Sequence, residues 1–300
     1  MIRPVNFNYN YETAINNAFQ SLLDENDVNV QEKALAQFDS LVDLLRSNGV
    51  DVTVVEDTPL PHTPDSIFPN NWVTFFEDNN GTICVHSMFA VNRRAEKKPH
   101  VLRAVAERFT ITDTIDFTRF ESAEEFLEGT GSMVLDRKNR IAYACLSMRT
   151  NYRAFQEFCR VMCYHGVPFQ AQDAHGRDVY HTNVMMSVGD HFAVVCLDTI
   201  RRESEKLRVI ESLTGTGKEI IAIDIGQMMR FAGNCLQLQN GLNGEKILVL
   251  SKQAYKSLRG EQIERLSRHS KIVTADVDII ELHGGGSVRC MIAEIFLPTK

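Results

Sequence analysis

Asn71–Ser87 reads NWVTFFEDNNGTICVHS, two short apolar runs on either side of a turn rich in Asp, Asn and Gly. That is the grammar of a β-hairpin. It returns in Ser132–Ser147 (SMVLDRKNRIAYACLS), Asn183–Asp198 (NVMMSVGDHFAVVCLD) and Asn234–Ser251 (NCLQLQNGLNGEKILVLS). The leading residues Asn71, Ser132, Asn183, Asn234 and Ser287 are spaced 61, 51, 51 and 53 positions apart. A period near 50 residues is the signature of a repeat architecture.

Between the hairpins the periodicity turns helical. Val30–Asn48 places Ala34, Ala36, Phe38, Leu41, Leu44 and Leu45 at helix spacing, and His100–Phe109, Tyr152–His165, Glu203–Leu213 and Gly260–Arg268 are further helix candidates. Short strands are expected after most of them, at Val52–Val55, Phe109–Ile111, Val167–Gln170, Ile220–Ile223 and Lys271–Thr274. The recurring order is strand, strand, helix, strand, and five such units are counted. The fifth is split: Ser287–Phe296 needs a partner from Met1–Phe7, which would seal a ring of repeats. No Pro-, Gly- or Ser-rich linker divides the chain, so residues 1–300 are expected to form one domain. A doubly wound parallel sheet is the alternative, and the hairpin in every unit counts against it.

Composition bounds the function. Of 300 residues, 44% are hydrophobic and 24% charged, ordinary for a globular protein with a sizeable core. A net charge of −7 argues against a nucleic-acid partner. No apolar run is long enough to span a membrane, and residues 1–20 lack signal-peptide character. The start at Ile2-Arg3-Pro4-Val5, close to a strand, leaves room for natural residues upstream. Seven cysteines, an odd number, point to reduced thiols in a cytoplasm. Cys159, Cys163 and His165 read better as a core face than as metal ligands. Gly215-Thr216-Gly217-Lys218 lacks the Ser or Thr of a phosphate loop, and Gly129-Thr130-Gly131 leads into a strand; both are expected to be turns.

Four chemistry-bearing residues stand at or just before the first strands of four units: Asp65, Glu128, His181 and Cys290. Units set round an axis would bring them to one point. Cys290 follows Gly284-Gly285-Gly286, whose backbone can approach a ligand and offer N–H donors to an oxyanion. A nucleophilic thiol needs a base or imidazolium, which His181 can supply. Glu128 can bind a planar N–H fork. On local grounds each has a plainer reading: a buried small hydrophobe for Cys290, a capping group for His181, a turn residue for Glu128, and a turn-initiating Asp after proline for Asp65. Trp72 reads as core.

With these residues assembled, the chain resembles the guanidine-modifying (amidinotransferase) superfamily over nearly its whole length, with the citrulline-utilisation hydrolases as the most similar branch. The resemblance implies an α/β fold, a five-bladed α/β propeller of ββαβ units with pseudo-fivefold symmetry. Arg289-Cys290-Met291 looks like the nucleophile motif, Glu128 like the acidic residue, and His181 like the general acid/base. The stretch from Pro64 to Phe68 resembles the dimethylargininase segment whose aspartate, here Asp65, holds the substrate's amino end. The segments around Asn92-Arg93-Arg94 and Met148-Arg149-Thr150 resemble those that grip the substrate carboxylate, and Arg94 and Arg149 are chosen for that task.

Two departures bear on the substrate. Asn70-Asn71 stands where dimethylargininases carry a carboxylate, and His181-x-Asn183 where deiminases commonly carry His-x-Asp. Each exchange keeps hydrogen-bonding capacity and removes a negative charge. A buried guanidinium needs compensating carboxylates, so Asn71 and Asn183 favour a neutral ureido group. The expectation is hydrolysis of citrulline to ornithine, carbon dioxide and ammonia, needing no metal or organic cofactor. Arginine deimination or dihydrolysis, dimethylarginine hydrolysis, and amino-acid or protein binding without catalysis are the alternatives. The expected partner is a small amino acid, with homo-oligomerisation left open.

Overall fold

Four stretches of the chain build the same three-stranded sheet. In this computed structural model, which describes residues 1–21 and 29–300, strands β1 (Ile2–Arg3) and β2 (Val55–Glu56) form a parallel pair. Then come β3 (Val73–Phe76), β4 (Thr82–Val85) and β5 (Asp113–Asp116); β6 (Val134–Asp136), β7 (Ile141–Cys145) and β8 (His165–Phe169); β9 (Met186–Val188), β10 (Phe192–Val195) and β11 (Glu219–Ala222); and β12 (Leu236–Gln239), β13 (Lys246–Ser251) and β14 (Lys271–Ala275). Each triplet has one antiparallel pair, the hairpin, and one parallel pair made through a helical crossover. The expected grammar is therefore present four times.

The fifth unit departs from expectation. Ser287–Phe296 forms no strand ladder; β1 pairs with β2 instead, and the carboxyl end returns only as an isolated bridge between Phe109 and Thr299. The join is made by packing, with Ile2 and Leu297 in one apolar cluster with Trp72, Val73 and Phe75. The third strand of the first triplet lies at Asp113–Asp116 rather than Phe109–Ile111. The Gly129-Thr130-Gly131 segment is one helical turn, Gly129–Ser132, before it becomes a strand.

The helix Val30–Ser47 turns Ala34, Phe38, Leu41, Val42 and Leu45 inward at 3.6-residue spacing, each fully or almost fully buried. Burying side chains of the Leu or Phe type contributes roughly 1.5–3 kcal/mol each. A larger core runs unbroken across the later sheets, joining Tyr143, Val167, Phe192, Val194, Ile221, Leu248 and Leu250.

What positions the site is a set of one-turn helices before the first strands. The turn Gly129–Ser132 touches both Pro69–Asn71 and Thr182–Met185. Hydrogen bonds tie each such turn to the next. Thr130 Oγ1 donates to Asn70 O (3.3 Å), Thr182 Oγ1 to Ser132 O (2.6 Å), and Asn234 Nδ2 to Asn183 O (2.9 Å); Asn234 Oδ1 accepts from Arg289 N–H (3.1 Å). Residues 50 or more positions apart are thereby fixed side by side. No helix among the described residues is long and apolar enough to cross a membrane.

Candidate active site

A small cavity of about 10 Å³ lies where these turns meet, lined by Asp65, Asn71, Arg93, Arg149, Tyr180, His181 and Cys290, with Thr13 and Asn17 above and Gly284–Gly286 beside it. His181 occupies the extended residue before the turn Thr182–Met185 (φ −136°, ψ 141°), so its ring projects off the turn. Its Nε2 lies 2.8 Å from Glu128 Oε2, and both side chains are essentially inaccessible to solvent. Glu128 Oε1 also accepts from Phe89 N–H at 2.9 Å. Burial pushes the Glu128 carboxyl up, but the Arg149 guanidinium and the His181 hydrogen bond overcome it and hold the group down, at about 2. Burial lowers His181 to about 4 despite Glu128. At neutral pH the pair is a neutral imidazole oriented by a carboxylate.

Gly131 keeps this pair close to Asn71. A Cβ at Gly131 would lie 2.8 Å from His181 Nδ1 and would also collide with the Asn71 amide. The apparent nucleotide-loop glycine is thus a spacer for the site.

Cys290 is buried, and its sulfur accepts from two side-chain amides, Asn183 Nδ2 and Asn234 Nδ2, each at 3.3 Å. Asn234 was not picked out from sequence, although it holds the same leading position in its repeat as Asn71 and Asn183. The glycine loop differs from expectation. Gly285 adopts φ +63° as a helix cap, and its N–H binds Glu281 O (3.0 Å) rather than facing the cavity. Gly284 and Gly286 make room for Phe68, whose ring a Cβ at either position would meet at 2.7–2.9 Å.

Two arginines enter the site. Arg149 donates to Thr13 O (2.7 Å) and Asn16 Oδ1 (2.8 Å), lies 3.6 Å from Glu128, and stacks 4.8 Å over Tyr180. The second is Arg93, not Arg94. Arg93 forms a two-pronged pair with Glu96 (2.8 and 3.0 Å) and donates to Asn71 Oδ1 (2.8 Å). Arg94 points to the rim: it donates to Met88 O and Phe89 O, sits 3.7 Å from Glu121, and is about a third exposed. Asp65 accepts from Asn10 (2.8 Å) and Thr13 (3.2 Å) through Oδ2, while burial raises its pKa. Its Oδ1, the Asn183 Oδ1 and the Asn70 Nδ2 are buried with no hydrogen-bond partner among the described residues. Buried polar atoms are seldom left unpaired, and of these three Asp65 Oδ1 belongs to a residue that lines the cavity, where a ligand can reach it.

Of the eight residues expected here, the structure assembles Cys290, His181, Glu128, Asp65, Asn71, Asn183 and Arg149 around one point and leaves Arg94 outside. Among the described residues no group of three or more His, Cys, Asp or Glu is placed to hold a metal; Cys159 is buried and Cys163 exposed.

Comparison with known proteins agrees with this geometry. A search among curated protein sequences finds no match. Solved structures do. The apo arginine dihydrolase ArgZ, of the cyanobacterial ornithine–ammonia cycle, superposes with a TM-score of 0.74 at 15% identity over 100% of this chain and 42% of its own. The chain thus spans about two-fifths of that relative's length. The product-bound amino-terminal domain of ArgZ matches at TM-score 0.73 and 17% identity over 99% and 98% of the two chains. A dimethylarginine dimethylaminohydrolase adduct with S-methyl-L-thiocitrulline matches at TM-score 0.65 and 17% identity over 97% and 96%. These likenesses show the α/β fold. The family described as N,N dimethylarginine dimethylhydrolase, eukaryotic, matches residues 3–297, and the chain belongs to this family of hydrolases acting on non-peptide carbon–nitrogen bonds.

Proposed function

We propose that this protein is a cysteine-dependent hydrolase of a ureido or guanidino amino acid, with citrulline as the substrate, and that its five units are the blades of one α/β propeller domain spanning residues 1–300. The observation that carries the citrulline reading is the state of the site's charges. Glu96 and Glu128 are already engaged by Arg93 and Arg149, and Asn71 Oδ1 accepts from Arg93 rather than waiting for a cation. A third buried guanidinium would find only Asp65 Oδ1 unengaged, and in the superfamily that aspartate holds the substrate's amino group. The free acceptor Asn183 Oδ1 suits a neutral ureido NH₂.

In the reaction, Cys290 Sγ passes its proton to His181 as it attacks the ureido carbon. His181 delivers a proton to the departing nitrogen, the C–N bond to ornithine breaks, and a carbamoyl thioester remains on Cys290. His181 then takes a proton from water, whose oxygen attacks the same carbon; the C–S bond breaks, and the released carbamate decomposes to carbon dioxide and ammonia. Glu128 holds the imidazole and stabilises its charged form. The cavity of about 10 Å³ is smaller than an amino acid, and Thr13 and Asn17 line it, so in this proposal their segment shifts to admit one. The cytoplasmic setting stays part of this proposal, and homo-oligomerisation stays open.

The likeness to an arginine dihydrolase favours a second reading on the same residues, in which arginine and two waters give ornithine, carbon dioxide and two ammonia molecules. Purified protein offered citrulline, arginine, agmatine and dimethylarginine, with ornithine and ammonia assayed, separates the two. Citrulline should be turned over fastest, and Cys290→Ala should abolish it. Faster turnover of arginine would overturn the charge argument while leaving the cysteine chemistry in place; full activity of Cys290→Ala would overturn both.

A further inference from the structure

Asn234 is fully buried, and both ends of its amide are engaged. Its Oδ1 accepts the backbone N–H of Arg289, which fixes the amide orientation: a flip would set oxygen against the Asn183 carbonyl. The two hydrogens on Nδ2 therefore go to Asn183 O and to Cys290 Sγ. Asn183 Nδ2 approaches the same sulfur at the same 3.3 Å. Asn183 and Asn234 lead successive repeats 51 positions apart, so the two donors on the sulfur are products of the repeat itself.

We propose that Asn183 and Asn234 form a two-amide cradle that aims the Cys290 sulfur and stabilises the negative charge it develops during attack, making Asn234 a catalytic residue. The cradle rests on the reading of Cys290 as nucleophile but not on the identity of the substrate. A hydrogen bond to the charged form favours that form, and a sulfur whose proton passes to His181 as it attacks faces two N–H donors. The imidazole does not supply this alone: His181 commits Nε2 to Glu128 and is neutral at rest. The other charged or titratable groups at the cavity are Asp65, Arg93, Arg149 and Tyr180, with Glu128 behind His181 and the Arg289–Glu294 pair next along the chain. Asparagine at these two positions thus has a role beyond substrate choice. An aspartate at either would set a carboxylate against the developing thiolate.

The test uses no substrate. Iodoacetamide alkylation of Cys290 is followed at neutral pH in the full chain, with Cys290→Ser subtracted to remove the other thiols. Asn234→Ala should slow alkylation about ten- to hundredfold. Asn234→Asp, which keeps the bond to Arg289 N–H, should slow it further; a structural role alone predicts that Asp is tolerated. Asn183→Ala removes only the sulfur contact, because Asn183 Oδ1 has no partner among the described residues, and it decides the matter if Asn234→Ala does not fold. An unchanged alkylation rate in a folded variant overturns the cradle. Slowed alkylation in a protein that hydrolyses none of the offered amino acids upholds the cradle and removes the proposed function.

Discussion

Arg93 and Arg94 are consecutive in the chain, yet one is sealed in the site and the other lies on its rim. Arg93 is 2% exposed and grips Glu96, itself 0% exposed, whereas Arg94 is 32% exposed beside Glu121. Both belong to the four-residue helix Val91–Arg94, where adjacent residues cannot share a face.

Their substitutions should part accordingly. Arg93→Ala strands the Glu96 carboxylate without its cation, which typically costs about 3–5 kcal/mol, and should abolish turnover. Arg94→Ala loses an exposed pair and a cation–π contact with Phe126, worth about 1 kcal/mol or less, and should leave turnover near the parent's. Denaturant unfolding and steady-state turnover measure both. A stable, active Arg93→Ala would refute its place in the site.

The Glu128–His181 pair predicts a displaced acid limb. An ordinary imidazole titrates near 6.5, but this one is held near 4 by burial, so it stays a competent base well into acid. The kcat/KM profile should therefore lose activity near pH 4 rather than 6.5, with folding checked by circular dichroism at each pH. His181→Ala should lower kcat by about 10²–10⁴-fold. Glu128→Gln should also lower kcat, and should move the limb further into acid, because the carboxylate raises the imidazole pKa. A limb at 6.5 would mean that the pair is solvated in the working enzyme.

Much of this site was legible because the repeat announced where its residues fall. Glu128, His181 and Cys290 sit at unit boundaries, and the turns that carry them are buried and tied together. The choice between Arg93 and Arg94 was not legible, since packing rather than composition decides which neighbour turns inward. Strand β5 was misplaced because DTID is largely exposed and polar, so it carries no apolar pattern; its register comes from pairing with β4. The role of the segment after Asn10 was invisible, because its polar side chains reach groups as far away as Arg149 and Gly285. Asn234 was visible as a repeat position but carried no local motif; only the 3.3 Å approach to Cys290 reveals it.

Glu281 should give the protein a pH-dependent stability. It is buried behind the glycine loop, accepts from Ser287 Oγ (2.6 Å) and Gln253 Nε2 (3.0 Å), and is pushed by burial from 4.5 to about 7. A carboxyl raised in the folded state binds more protons there than in the unfolded chain between those values. Its stabilising contribution is full below 4.5 and lost as pH rises through 7. Glu281→Gln removes this titration, so it should raise Tm relative to the parent more at pH 8 than at pH 5. An equal difference at both would show that Glu281 titrates normally.

The segment that covers the cavity should control access to Cys290 without changing its chemistry. Asn17 Nδ2 reaches Gly285 O (3.4 Å), Gln20 Nε2 binds His283 O (3.0 Å), and Ser21 N–H binds Leu282 O (2.9 Å), so the later half of the cover is pinned to the end of the helix Asp278–Gly284, while Asn10, Thr13 and Asn16 tie the earlier half to Asp65 and Arg149. Asn17→Ala with Gln20→Ala removes two of these ties but no partner of the Cys290 sulfur. Hydrogen bonds of this kind are worth about 0.5–1.5 kcal/mol each, so the open population should grow about five- to hundredfold while remaining a minority. Iodoacetamide should then alkylate Cys290 faster by a similar factor. The KM should change as well, because closing over the substrate becomes less favourable. An unchanged alkylation rate would show that reagents and substrate reach the sulfur by another route.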